Sequence, residues 1–306
     1  MDKDLLYRKN MLGEYRHDIK TIAKTLMIVS FAMFFVGDTV WYFLFGDESS
    51  IDSYTGIMVF GIPLALLVMN HYRKKMRFID VDKSNRKRMK LSTIFSIICI
   101  LIIIQIVAAY ISDGFEYIMN LFGYTIMGEI ESSTEVSDTL DLFIYSCIAA
   151  PIIEEIIFRK FVAGSLRKYG KVIAIVLSSI AFGLYHGNYT QGIFAAMVGA
   201  VFAYVAFEYS FKWAVFFHML NNTYTDVIDY LPESVSDVVY IILGVSALLY
   251  LLYYLVKIVR RKGTIKKYIR ENNPNKFLYK YTLTSLWVIL FIVYSLWLAY
   301  LGVEPL

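Results

Sequence analysis

Apolar residues run along this chain in long windows separated by short polar stretches. Windows of roughly 17 to 25 mostly apolar residues, enough to cross a bilayer, recur at 25–46, 54–71, 91–112, 142–162, 172–189, 191–209, 213–230, 238–256 and 281–300. This pattern predicts an all-α, polytopic transmembrane helix bundle of about eight to nine spans. The aromatic stretch "FEYIMNLFGYTIMG" (115–128) is too short to span and reads as a short amphipathic helix lying in the membrane interface. No internal repeat, low-complexity tract or appended soluble domain is visible. The chain divides into a three-span N-terminal part (1–141), a core (142–230) and a two-span C-terminal part (231–306).

Composition agrees with the pattern. Of 306 residues, 58% are hydrophobic and only 18% charged, too apolar for an ordinary soluble domain. The connecting segments alternate in charge. Residues 1–24, 72–90, 159–171 and 257–276 are rich in Lys and Arg, and Lys212 marks another basic turn. Residues 46–53, 113–141, 186–191 and 229–237 carry no Lys or Arg. Because basic loops stay inside, the alternation places the N-terminus in the cytoplasm and, with nine spans, the C-terminus outside. A multi-pass membrane protein is expected, and rich Ile, Lys and Tyr usage adds the expectation of a bacterial plasma membrane. The net charge of +4 resides mainly in these loops, so the partner it implies is the lipid bilayer rather than nucleic acid. No cleavable leader is expected, since some two dozen largely polar residues precede a first segment long enough to remain as a span. Cys99 and Cys147 lie apart in apolar runs, which excludes a disulfide framework or a cysteine zinc cluster.

An ionisable group at the centre of a membrane helix costs about 2.5–3.5 kcal/mol even on the lenient insertion scale, which makes each one a functional candidate. Asp38, Glu154, Glu155, His186, His218, Asn221 and Asn222 fall within predicted spans, and Arg159, Glu208, Asp226 and Asp229 lie nearer their ends. Helical spacing sorts them. Glu155 and Arg159 are four apart and can pair, leaving Glu154, about a hundred degrees round, to look elsewhere. His218 and Asn222 share a face that Asp226 extends. Asp38, isolated among aromatics, reads as a packing residue, and Glu208 and Asp226 read as rim or substrate-docking positions. The simplest way to satisfy these groups is one polar pocket lined by the fourth, fifth and seventh spans. Such a pocket supports hydrolysis by activated water, with a glutamate as general base and His and Asn as hydrogen-bond donors. The same set supports a divalent metal, zinc above all, on His186, His218 and Glu154. No GxSxG elbow is present, and neither cysteine is near a histidine in sequence.

The stretches "EEIIFR" (Glu154, Glu155, Arg159), "FGLYH" (Phe182, His186) and "HMLNN" (His218, Asn222) resemble the EExxxR, FxxxH and HxxxN/D motifs of the CAAX-protease and bacteriocin-processing family, also called Abi. Any one motif is weak; three in the family's order, each on its own span, are strong together. The resemblance covers residues 150–222. It implies an intramembrane endopeptidase, commonly labelled a metalloprotease, in which Glu154 activates water with help from His186. His218 and Asn222 would stabilise the oxyanion, and Glu155, Arg159 and Phe182 would support the site. The implied substrate is a peptide pheromone, a bacteriocin or a membrane-anchored protein. The competing reading is a non-catalytic membrane regulator or bacteriocin self-immunity protein; a transporter is disfavoured because no inverted repeat is visible.

One difficulty concerns depth. His218 follows the basic Lys212 by two turns, whereas His186 lies near the far end of a span that starts at Lys171. Straight, full-length helices would keep the two apart. Either Lys171 snorkels and its span begins deeper, or that span is short and ends at Gly187 inside a protein-lined cavity.

Overall fold

A computed structural model of the chain describes residues 3–45, 53–76, 87–134, 137, 139–260 and 262–306. The fold is helical almost throughout. Helix α1 (Lys3–Ser30) passes through a π-helical segment, Phe31–Val36, into α2 (Gly37–Phe45). Its hairpin partner comprises α3 (Ser53–Gly56), a second π segment, Ile57–Gly61, and α4 (Ile62–Arg73).

Helix α5 (Leu91–Leu121) follows, then strand β1 (Tyr124–Thr125) and α6 (Met127–Thr134). The interfacial helix expected at 115–128 is not a separate element: residues 115–121 are the last turns of α5. Nothing there breaks a helix except the weakly disfavouring Gly114, so the helix propagates until Phe122 and Gly123. The Glu116 carboxylate, buried in the last turns, accepts hydrogen bonds from Thr125 Oγ1 at 2.6 Å and the Ile126 amide at 2.6 Å. It thereby folds β1 back onto the helix. Strand β1 pairs antiparallel with β2 (Glu304–Pro305) in register Tyr124 to Pro305 and Thr125 to Glu304.

A continuous helical run from residue 140 to 166 comes next, built of α7 (Leu140–Ile144), a π segment (Tyr145–Ala149), α8 (Ala150–Glu155), a π segment (Ile156–Ala163) and α9 (Gly164–Leu166). After the turn at Arg167–Tyr169 come α10 (Lys171–Tyr185), α11 (Tyr189–Glu208) and α12 (Phe211–Asp229). Helices α13 (Glu233–Arg260), α14 (Lys262–Asn272), α15 (Tyr279–Thr282) and α16 (Leu286–Tyr300) complete the chain. The 140–166 run, α10, α11 and α12 pack around Phe158, Phe161, Phe182, Phe202 and Phe217, all essentially inaccessible. Helix α13 lies outside this core: 11% of its most apolar window is buried, so its Ile, Leu and Val side chains face outward as bilayer-facing residues do.

Among the described residues five helices are long and apolar enough to cross a membrane, within 6–45, 54–73, 91–121, 189–208 and 233–257. The segments Lys276–Thr282 and Leu286–Tyr300, bent by 67°, make a sixth if taken as one span. The remaining expected windows, 142–162, 172–189 and 213–230, are the ones that hold the polar groups. The 140–166 run carries Glu154, Glu155, Arg159 and Lys160, and α12 carries His218, Asn221, Asn222 and Asp226. Helix α10, at 15 residues, is about 22 Å long. It stops at His186, and Gly187 turns the chain with φ of 58°, a value that favours glycine. The depth difficulty is thus resolved by a short helix ending at the site.

Close approach fixes α10 against α11. A Cβ on Gly183 would stand 2.4 Å from the Gly192 carbonyl oxygen, so the two backbones meet where only hydrogen fits.

Candidate active site

The central feature is an imidazole held between neighbouring carboxylates. Glu155, the last residue of α8, is fully buried, and its Oε2 lies 3.1 Å from Nε of Arg159, also fully buried. Its second oxygen, Oε1, lies 3.1 Å from Nδ1 of His218 on α12. The other ring nitrogen, Nε2, faces Glu154 Oε2 at 3.5 Å. Glu154 and Glu155 therefore do not look in different directions, as their rotation about the helix suggested: they approach opposite edges of one ring. Glu154 keeps a 15% exposed side chain against none for Glu155, so Glu154 alone of the two is open to solvent.

Aromatic packing sets the orientation of these groups. Phe202 of α11 stacks on the His218 ring at 4.8 Å and 22°, and Phe182 meets it edge-on at 5.7 Å. The same two rings flank the Arg159 guanidinium at 4.8 Å (Phe182) and 5.9 Å (Phe202). Nη1 and Nη2 of Arg159 have no hydrogen-bond partner, so its charge is met by Glu155 and two π-faces. Phe182 is the hub, because it also packs edge-on against His186 at 4.8 Å.

His186 follows the last turn of α10, with Nδ1 2.8 Å from the Phe182 carbonyl oxygen. A carbonyl only accepts, so Nδ1 carries the hydrogen and Nε2 of the neutral ring is left as an acceptor. Asn222 donates one amide hydrogen to the Ser146 carbonyl at 2.9 Å and retains the second. Its oxygen accepts from Asn221 Nδ2 at 3.3 Å, while the buried oxygen of Asn221 has no partner.

Glu154, His186, His218, Asn221 and Asn222 all line one cavity of about 270 Å³. At about 30 Å³ per water, it is roomy enough for several waters and an extended backbone. The 140–166 run, α10 and α12 supply the polar residues, as expected. Three contributions were not legible in sequence. Phe34, in the π segment after α1, forms part of the wall, as do Tyr145 and Ser146, in the π segment that precedes α8. Gln191, at the boundary between the expected loop and the 191–209 window, lies in the first turn of α11 and also faces the cavity. Isolated π-helical turns favour functional sites because the extra residue per turn redirects side chains, yet no sequence pattern marks them.

The two expected rim residues do not line this cavity. Glu208 ends α11 and is held by Lys171, by Lys87 at 2.6 Å and by the Tyr268 hydroxyl at 3.1 Å. Asp226 accepts hydrogen bonds from Ser137 at 2.7 Å and Cys147 at 3.4 Å, and Ser137 in turn contacts Ser146 at 3.0 Å. Asp226 thus buttresses the wall from behind. The side chains of Asp38 and Asp229 lie outside those described. Among the described residues no group of three or more His, Cys, Asp or Glu is arranged to hold a metal ion.

Residues 137–224 match the family model described as Type II CAAX prenyl endopeptidase Rce1-like. A protein of Bacillus subtilis (strain 168), YdiL, described as a candidate membrane peptidase, is 28% identical over 130 residues, 40% of this chain and 53% of that protein. The chain spans about half the length of this curated relative. No solved structure matches. The family match encloses Glu154, His186, His218 and Asn222.

Proposed function

We propose that this chain, a member of the CAAX-protease and bacteriocin-processing family over residues 137–224, is an intramembrane endopeptidase that hydrolyses a peptide bond with water activated by Glu154. The observation that carries the reading is the pairing of Glu154 with His218 at the edge of a cavity wide enough for water and a peptide backbone. Arg159 offsets the charge of Glu155, and the His218 ring lies within reach of both carboxylates, which is how these groups are accommodated in a low-dielectric bundle.

A water in the cavity directs one hydrogen to Glu154 and the other to Nε2 of His186, which presents a lone pair because Nδ1 donates to Phe182. Both hydrogens being held, the oxygen lone pair is free to attack the scissile carbonyl carbon. Glu154 takes the proton as the C–O bond forms, and the carbonyl π pair moves onto oxygen. The second amide hydrogen of Asn222 donates to this oxyanion, and the Nε2 edge of His218, 3.5 Å from Glu154, turns to it as the Glu154 carboxylate is neutralised by the proton it takes. Collapse breaks the C–N bond, and Glu154 returns the proton to the leaving amine. Glu155 and Arg159 contribute by fixing His218 through Nδ1. We read the substrate as a peptide precursor, such as a pheromone or bacteriocin, or a membrane-anchored protein.

The test compares purified Glu154→Gln, His186→Ala and, as a control on the exposed surface, His71→Ala in cleaving a prenylated and an unprenylated fluorogenic peptide in micelles. The first two should lose about 10²–10⁴-fold in turnover and the control nothing. Undiminished turnover in both site variants sinks the mechanism. Activity that survives a chelator supports glutamate acting alone, whereas loss restored by zinc assigns a metal to His186, His218 and Glu154.

A further inference from the structure

We propose that the cavity between α1 and the turn joining α15 to α16 binds the phosphate of an anionic phospholipid. It has a volume of about 500 Å³ and is lined by Arg16, Lys20, Thr284, Ser285, Leu286 and Trp287. None of these belongs to the family-matched segment or to the site above.

The charge pattern of α1 produces the site. Glu14 and Asp18 are four apart and share one face, where both meet Lys168, at 2.8 Å and 2.7 Å. Asp18 also accepts from the Tyr169 hydroxyl at 2.8 Å. Arg16 and Lys20 are likewise four apart but lie on the far side of the helix, so Glu14 and Asp18 are turned away from them and already engaged. Among the described residues neither cation has a carboxylate in ion-pair contact; Arg16 rests over the Tyr281 ring at 5.1 Å. Two like charges one turn apart repel unless an anion lies between them.

The opposite wall decides which anion. That wall is formed at the 67° bend between Lys276–Thr282 and Leu286–Tyr300. Thr284 and Ser285 line the cavity beside the cations; the Thr284 hydroxyl donates to the Tyr281 carbonyl at 2.7 Å, which leaves Ser285 as the hydroxyl donor for a phosphodiester oxygen. The lip of the cavity is apolar: Leu283 and Leu286 are 62% and 65% exposed. Trp287, with Lys24 5.4 Å over its ring, supplies the amphipathic aromatic characteristic of the headgroup level. Below it the outer face of α16 shows exposed Leu290, Val293 and Trp297, a surface for acyl chains. A soluble phosphate would use the cations and the hydroxyl alone; a lipid uses the lip and the face as well, and basic pockets between helices at the interface are how proteins select anionic headgroups.

The experiment titrates full-length protein in a neutral detergent with phosphatidylglycerol or phosphatidylcholine and counts retained lipids by native mass spectrometry. One phosphatidylglycerol should be retained in preference to phosphatidylcholine. Each cation contributes about fivefold at a membrane surface, so Arg16→Gln with Lys20→Gln should weaken retention about 25-fold. The charge-preserving Arg16→Lys with Lys20→Arg should restore it, which separates loss of charge from loss of fold. Equal retention of the two lipids, or undiminished phosphatidylglycerol binding by the double Gln variant, overturns the proposal. Displacement of the lipid by millimolar inorganic phosphate overturns the lipid assignment in favour of a soluble anion.

Discussion

Removing the charge of Glu155 tests whether the buried pair is the energetic centre of the site. Glu155 and Arg159 are both fully buried and 3.1 Å apart, and two nitrogens of Arg159 have no other hydrogen-bond partner. Deleting one member of such a pair leaves an uncompensated charge in a low-dielectric interior, which costs about 3–5 kcal/mol. Glu155→Gln should fall at the low end, since the amide oxygen still accepts from Arg159 Nε and the rings of Phe182 and Phe202 still flank the cation. Arg159→Met should cost a similar amount by stranding a carboxylate. The double variant Glu155→Gln, Arg159→Met removes both charges and should lose less than the two singles combined, with a coupling of about 2–3 kcal/mol. Activity should not recover in the double variant, because His218 Nδ1 has lost the carboxylate 3.1 Å away that orients it. Unfolding free energies from SDS titration in mixed micelles, measured beside turnover, check both parts. Singles that add to the double within about 0.5 kcal/mol refute the pairing argument. Full activity in the double variant refutes the positioning role assigned to Glu155.

Other consequences follow from the same structure. Gly183→Val should destabilise the protein by at least about 3 kcal/mol or prevent its folding, because a Cβ there meets the Gly192 carbonyl oxygen at 2.4 Å and overpacking costs about 1–3 kcal/mol even against side chains that can shift; expression and unfolding of Gly183→Ala and Gly183→Val measure this, and wild-type stability in both contradicts it. Glu208→Gln should cost about 1.5–3 kcal/mol by releasing Lys171, Lys87 and Tyr268, whereas Lys87→Ala, at a position 59% exposed, should do little; equal effects would place the stabilisation elsewhere. Burial raises the Glu129 carboxyl above its ordinary 4.5 despite the Tyr189 amide that donates to it. The native state then holds this proton more tightly than the unfolded chain. Its contribution to stability is therefore largest at acid pH and declines as pH rises above 4.5. The difference in unfolding midpoint between Glu129→Gln and wild type should accordingly shift in favour of the variant from pH 4 to pH 7, and a difference independent of pH rejects the assignment.

Hydrophobic spacing alone determined that the chain is a helical membrane bundle, because a window of apolar residues long enough to cross a bilayer has few other stable environments. It also isolated Glu154, Glu155, His186, His218 and Asn222, since polar groups are conspicuous where each is costly, and it paired Glu155 with Arg159 because a separation of four residues is a local property of the helix. What it could not supply was anything set by the meeting of distant elements. The aromatic stretch at 115–128 looked independent, yet its first half is the end of α5, onto which Glu116 folds the rest through Thr125 and Ile126. Glu208 and Asp226 looked available for substrate, until Lys87 and Lys171 on one side and Ser137 and Cys147 on the other engaged them. The shortness of α10, the π-helical turns that bring Phe34, Tyr145 and Ser146 to the cavity, and the sharing of one imidazole by adjacent glutamates were decided only by tertiary structure. Each depends on which side chain another segment presents at a distance of three to four ångströms, and sequence periodicity along one helix carries no information about the rotation of its neighbour.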